Sequence, residues 1–166
     1  MSDGPIENKV ANSPLITFDL QAYLPEKVAQ VDLVSLVEDG VLREAAYRDA
    51  VRNIDLSALE GAVVRLHCSE DIILPAWASI LLANHLGRHG IQSYWGTTEL
   101  AFYKQWFTGV LNNLDYSKFK GRPVILAGCG DQRVPNAALV IAVQKLSQVA
   151  KKVMFGEACS AVPLKV

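Results

Sequence analysis

The chain has 166 residues, 51% of them hydrophobic, which is enough for one sizeable core without disulfides or metals to hold it together. Its 16 basic and 17 acidic residues leave a net charge of −1 and are spread evenly, with no basic stripe interleaved with aromatics, so no nucleic-acid partner is expected. Three widely spaced cysteines, Cys68, Cys129 and Cys159, make no disulfide framework, which leaves free thiols or metal ligands.

The opening residues, Met1 to Lys9, are polar and carry two acids, with no apolar run behind a basic cap. They do not read as a secretory signal, and the expected compartment is the cytoplasm. Leu15 to Leu20 (LITFDL) predicts a strand, and Val41 to Arg52 predicts a helix with its arginines outward. Nothing in the pattern fixes how this N-terminal third joins a sheet.

Two later segments, about Ala62 to Glu99 and Pro123 to Cys159, read as an internal repeat. From the prolines onward the offset is a constant 60, pairing Pro75 with Pro135, Ala78 with Ala138, Leu86 with Leu146, Trp95 with Phe155 and Gly96 with Gly156. Aligning Cys68 with Cys129 requires one deleted residue between cysteine and proline. Each segment starts with an apolar run, AVVRLHC or PVILAGC, crosses a polar loop, and meets a proline suited to the first turn of a helix.

The helices expected at Ala76 to Leu86 and Asn136 to Leu146 are apolar on more than one face, as suits close packing on a sheet. Short strands, IQSYW and KVMF, end the two segments. Strand, helix, strand in tandem predicts two βαβ units with parallel pairing and right-handed crossovers. Between them, Thr98 to Asn113 predicts an amphipathic crossover helix, capped by Thr97 or Thr98. The longest apolar stretch, Ile72 to Ala83, is interrupted by Pro75 and Ser79 and is too short for a bilayer. It reads as a buried helix, and no membrane partner is expected. With no linker or low-complexity stretch, residues 1–166 predict a single three-layer α/β domain with a mainly parallel sheet built on the two βαβ units.

In open parallel sheets, ligands collect beyond the carboxyl ends of the strands, where helix N-termini also point their partial positive charge. Cys68 and Cys129 are expected at that edge, and Cys159 follows the last strand by a Gly-Glu-Ala step. Any one of them alone reads best as a small buried hydrophobe. Together, with the polar, glycine-containing loops after them, they make a candidate thiolate metal site. Thiolates favour zinc, copper(I) or an iron–sulfur cluster over magnesium or calcium.

A fourth ligand is Glu99, which occupies the repeat position of Cys159, or Asp131, just past Cys129. Each has a plain alternative. Glu99 complements a helix dipole, and Asp131 forms a cap or turn. His67 adjoins Cys68 but points to the opposite strand face, and His85 and His89 sit at a helix C-terminus. A cysteine facing a helix N-terminus also suits a nucleophile or sulfur carrier, although no convincing base accompanies it. A third alternative is a metal-free adaptor that presents Trp106 or Tyr116 to a protein partner; helical spacing favours packing for both.

ENKVANSPLITFDL (Glu7 to Leu20), LREAAYR (Leu42 to Arg48), CSEDIILPAWA (Cys68 to Ala78), GCGDQRVP (Gly128 to Pro135) and FGEACSAVPL (Phe155 to Leu164) cover nearly the whole chain. Together they resemble the bacterial domain-of-unknown-function family 2480, which lends no reaction. The resemblance implies that all three cysteine motifs belong to the family pattern. It also implies genes placed beside iron–sulfur assembly genes, and hence iron–sulfur assembly proteins as partners. Gly130 stands where a serine is expected and Ala127 where a lysine is common, and neither change removes a ligand. The expected function is a thiolate protein carrying zinc or an iron–sulfur cluster, accessory to cluster assembly. The alternatives are a cysteine-dependent sulfur carrier or transferase and the metal-free adaptor.

Overall fold

A computed structural model describes residues 15–128, 130–157 and 160–164. In chain order the elements are β1 (Ile16–Asp19), β2 (Val28–Asp32), α1 (Glu44–Arg52), β3 (Val63–His67), α2 (Ala76–Arg88), β4 (Ser93–Trp95), α3 (Glu99–Asn113), β5 (Pro123–Ala127), α4 (Asn136–Val149), β6 (Lys152–Phe155) and β7 (Val162–Pro163). The fold is α/β. Among the described residues its strands form two mainly parallel sheets, β2-β3-β4 and β1-β5-β6-β7, in which only β7 runs antiparallel. The single sheet expected from the tandem repeat is divided because each βαβ unit takes a different N-terminal strand as its third member: β2 pairs with β3, and β1 pairs with β5. No helix among the described residues is long and apolar enough to cross a membrane.

The chain separates into two compact units, Pro25–Trp106 and Met1–Leu24 with Phe107–Val166. In the first, β3 alternates, burying Val64 and Leu66 while Val63, Arg65 and His67 take the other face. The stripe Ala78, Leu82 and Leu86 of α2 recurs every fourth residue and is fully buried with them. Tyr47 and Val51 of α1 complete this core, and the buried Tyr47 hydroxyl donates to the Ala78 carbonyl at 2.9 Å. Unsolvated phenolate is costly there, and burial pushes the Tyr47 pKa up to about 12.

In the second unit β5 is buried along Val124, Ile125 and Leu126, and α4 lays Ala138, Ala142 and Leu146 on it. Phe18 of β1 lies 5.3 Å, centroid to centroid, from both Tyr23 and Phe119, and 5.9 Å from Tyr116. These offset and edge arrangements are favourable ring contacts.

Equivalent elements of the two units keep the offset of 60 well before the prolines. Short 3-10 turns at Ser57–Leu59 and Ser117–Phe119 lead into β3 and β5, and Asp55 and Asp115 each accept from the Ser57 and Ser117 backbone. Gly61 and Gly121 then turn with φ of 69° and 70°. Burial along Ala76–Leu86 repeats position by position along residues 136–146. Because β3 (63–67) and β5 (123–127) also keep the offset, no residue is deleted: Cys68 aligns with Gly128, and Ser69 aligns with Cys129. The deletion assumed from the sequence follows side-chain identity, whereas the backbone register does not require it.

Two predicted features differ. Ile72 to Leu74 form no part of a buried helix; they precede Pro75, which disfavours helical backbone at the residue before it, and Ile73 is 95% exposed. The second apolar face of the repeat helices is solvent-facing in both units, with Ile80 and Val140 more than half exposed.

Candidate functional site

In the unit Pro25–Trp106, strand β3 delivers Cys68 to the loop at its carboxyl end. The half-buried thiol donates to the Glu70 carbonyl at 3.0 Å and lines a cavity of about 340 Å³ with Leu33, Leu74, Ser79 and Trp95. The neighbouring strand end holds this loop. Asp32 Oδ1 accepts from the backbone N–H of Val34 and of Ser69, both at 3.1 Å. Burial raises the Asp32 pKa, but the Ser69 hydroxyl, these two N–H donors and the facing His67 together outweigh it and hold the carboxyl below its usual range. His67 sits directly across from Asp32 in the β2–β3 register.

Sequence reasoning missed Asp32. The available signal is a repeated Asp-Leu at strand ends, since Asp19 likewise accepts from Gln21 N at 2.9 Å and is followed, like Asp32, by a fully buried leucine.

In the other unit, β5 and β6 are adjacent and parallel, so the loops after them leave the same sheet edge. Gly156, at the end of β6, donates its N–H to the Leu126 carbonyl at 3.0 Å, as Gly96 does to Leu66 at 2.9 Å. Gly128, at the end of β5, has φ of 119°, and a Cβ there would meet Leu20 Cβ at 2.8 Å. Only glycine suits both constraints. Cys129 and Cys159 lie outside the described residues. Among the described residues no three His, Cys, Asp or Glu side chains gather as a metal site.

Asp131 is engaged locally. Its Oδ1 accepts from the Arg133 backbone at 2.9 Å, and the Arg133 guanidinium grips both oxygens, Nη2 to Oδ2 at 2.7 Å. The Arg133 hydrogen bonds hold its pKa below the usual carboxylate range. Glu99 is the exposed first residue of α3, and Thr98 caps that helix by accepting from Ala101 N at 3.1 Å. His85 and His89 stack edge to face with centroids 5.0 Å apart near the end of α2. Burial first, then the charge of His89 and Arg88, lowers the His85 pKa. Trp106 and Tyr116 are half-buried. Trp106 packs edge-on against Tyr94, and the Tyr116 hydroxyl donates to the Leu111 carbonyl at 3.0 Å.

A family model described as Protein of unknown function (DUF2480) matches residues 4–165. No curated protein and no solved structure matches the chain.

Proposed function

The chain belongs to the DUF2480 family of proteins of unknown function, and we propose that it is a thiolate metal-site protein whose Cys68, Cys129 and Cys159 bind zinc or an iron–sulfur cluster. The observation that carries this proposal is the Gly156 N–H to Leu126 carbonyl bond at 3.0 Å, which ties together the adjacent strand ends preceding the loops of Cys159 and Cys129. Neighbouring strands lie only about 4.8 Å apart, a separation that suits two thiolates sharing one soft cation.

Glu99 and Asp131 remain the proposed fourth ligands. Glu99 is exposed at the start of α3, whereas Asp131 must first leave Arg133. An accessory role in cytoplasmic iron–sulfur assembly, with assembly proteins as partners, follows from the family resemblance. A cysteine-dependent sulfur carrier is the second reading, favoured by the half-exposed Cys68 thiol in its cavity beside the start of α2. A metal-free adaptor is the third reading; its two aromatics are half-buried, Trp106 edge-on to Tyr94 and the Tyr116 hydroxyl donating to Leu111.

Substitution of each cysteine by serine separates a ligand from a packed thiol, because serine keeps the shape and removes the soft donor. With protein purified without oxygen, each variant is expected to lose most of its bound metal and to melt at the temperature of the metal-free parent. Metal content unchanged in all three variants, with only the modest stability loss of a buried hydroxyl, contradicts the proposal.

A further inference from the structure

We infer that the groove beside the Cys68 loop, in the unit Pro25–Trp106, receives a segment of another protein that carries aliphatic side chains flanked by lysine or arginine. The groove has a volume of about 620 Å³ and is lined by Val41, Leu42, Ile72, Ile73 and Trp77. Ile73 is 95% exposed and Val41 54% exposed, and both line this one groove. Large apolar side chains grouped in this way mark interaction sites, whereas scattered ones do not.

Both side chains are held out on built turns. Asp39 and Gly40 have φ of 52° and 68°, and Val41 N donates to the Glu38 carbonyl at 3.0 Å, giving a tight two-residue hairpin of the primed type. On the other bank, Ser69 is tied to Asp32 and Cys68 to Glu70, and Ile72 N donates to Glu70 at 2.9 Å. The two banks approach closely, since a Cβ on Gly40 would lie 3.9 Å from Ile72 Cγ2. The groove is therefore preformed, which lowers the ordering cost of binding.

Charge selects the occupant. Asp71 and Glu44 line the groove, and exposed Glu38, Asp39 and Glu70 lie within two residues of its lining; against these five acids stand Arg43 and Arg48, the latter paired with Glu44 at 2.8 Å and 5.7 Å from the Trp77 ring. A second copy of the chain would bring this acidic rim against itself in a two-fold interface, and an anionic membrane surface would be repelled by it. A cationic, aliphatic segment complements both the floor and the rim.

The test pans a displayed library of random peptides against the intact protein, then measures the affinity of the enriched synthetic peptides for Ile73→Asp and Val41→Asp. Both side chains are largely exposed, so these variants should keep the circular dichroism and melting temperature of the parent. The expected peptides combine aliphatic residues with Lys or Arg, lose about tenfold or more in affinity on each variant, and bind more weakly at high salt. Cys129→Ser, which lies outside the unit that carries the groove, is expected to leave their binding unchanged, which keeps this outcome separate from that of the metal proposal. No enriched peptide, peptides that are acidic or indifferent to both substitutions, or a dimer of the parent dissolved by Ile73→Asp each overturn the inference.

Discussion

Gly128 shows how one residue fixes a strand end. Its φ of 119° disfavours any L side chain, and Leu20 Cβ stands 2.8 Å from where its Cβ would lie, so Gly128→Ala should destabilise by about 2–4 kcal/mol. Gly61→Ala meets nothing within 4 Å and carries only the positive φ, so about 1 kcal/mol is expected. Urea midpoints for the two variants check the difference, and equal losses contradict it. The position of Cys68 was legible from the apolar run before it, but Asp32 was not, because its role depends on a loop 37 residues away in the chain. Asp32→Ala should loosen that loop at about 1 kcal/mol. Since the folded-state pKa of Asp32 is lowered, its contribution is present above the unfolded value near 3.8 and is lost as pH falls through the folded one. Tyr47 and Tyr116 act at the other limb. Burial is the main cause that raises both to about 12, so their contribution is present below pH 10 and is lost as pH rises from 10 to about 12. In an ultraviolet titration, Tyr47→Phe and Tyr116→Phe should each remove one phenol that ionises at about 12.

At the scale of elements, the repeat makes a quantitative demand. Leu86 and Leu146 are both fully buried at equivalent positions of α2 and α4, so Leu86→Ala and Leu146→Ala should each cost about 2–5 kcal/mol and agree within about 1 kcal/mol. Denaturant unfolding measures both, and a loss at only one position breaks the equivalence. The helices were legible because Pro75, Pro135 and Thr98 mark their starts and the buried stripes repeat every fourth residue. Strand β2 was not. Val28–Asp32 is five residues with only Val31 buried, and it becomes a strand through its pairing with β3. Gaps drawn to match cysteine with cysteine also misled, since the backbone register follows Gly61 and Gly121 instead.

At the scale of the molecule, the α/β class was readable from alternating strand and helix patterns, but the division into two sheets was not. Pairing of Ile16 with Val124 joins the two ends of the chain, and local periodicity carries no record of such a partner. The chemical claim stays tied to three thiols: Cys68 sits in a described cavity, and the loops of Cys129 and Cys159 leave neighbouring parallel strands. A metal site built from these thiols is our proposal, because thiolates suit soft cations. The most direct test is the metal and acid-labile sulfide content of the intact protein purified without oxygen. About one zinc per chain, or iron with matching sulfide, is expected and is lost in Cys129→Ser; a parent protein free of zinc, iron and sulfide after anaerobic purification contradicts the thiolate site.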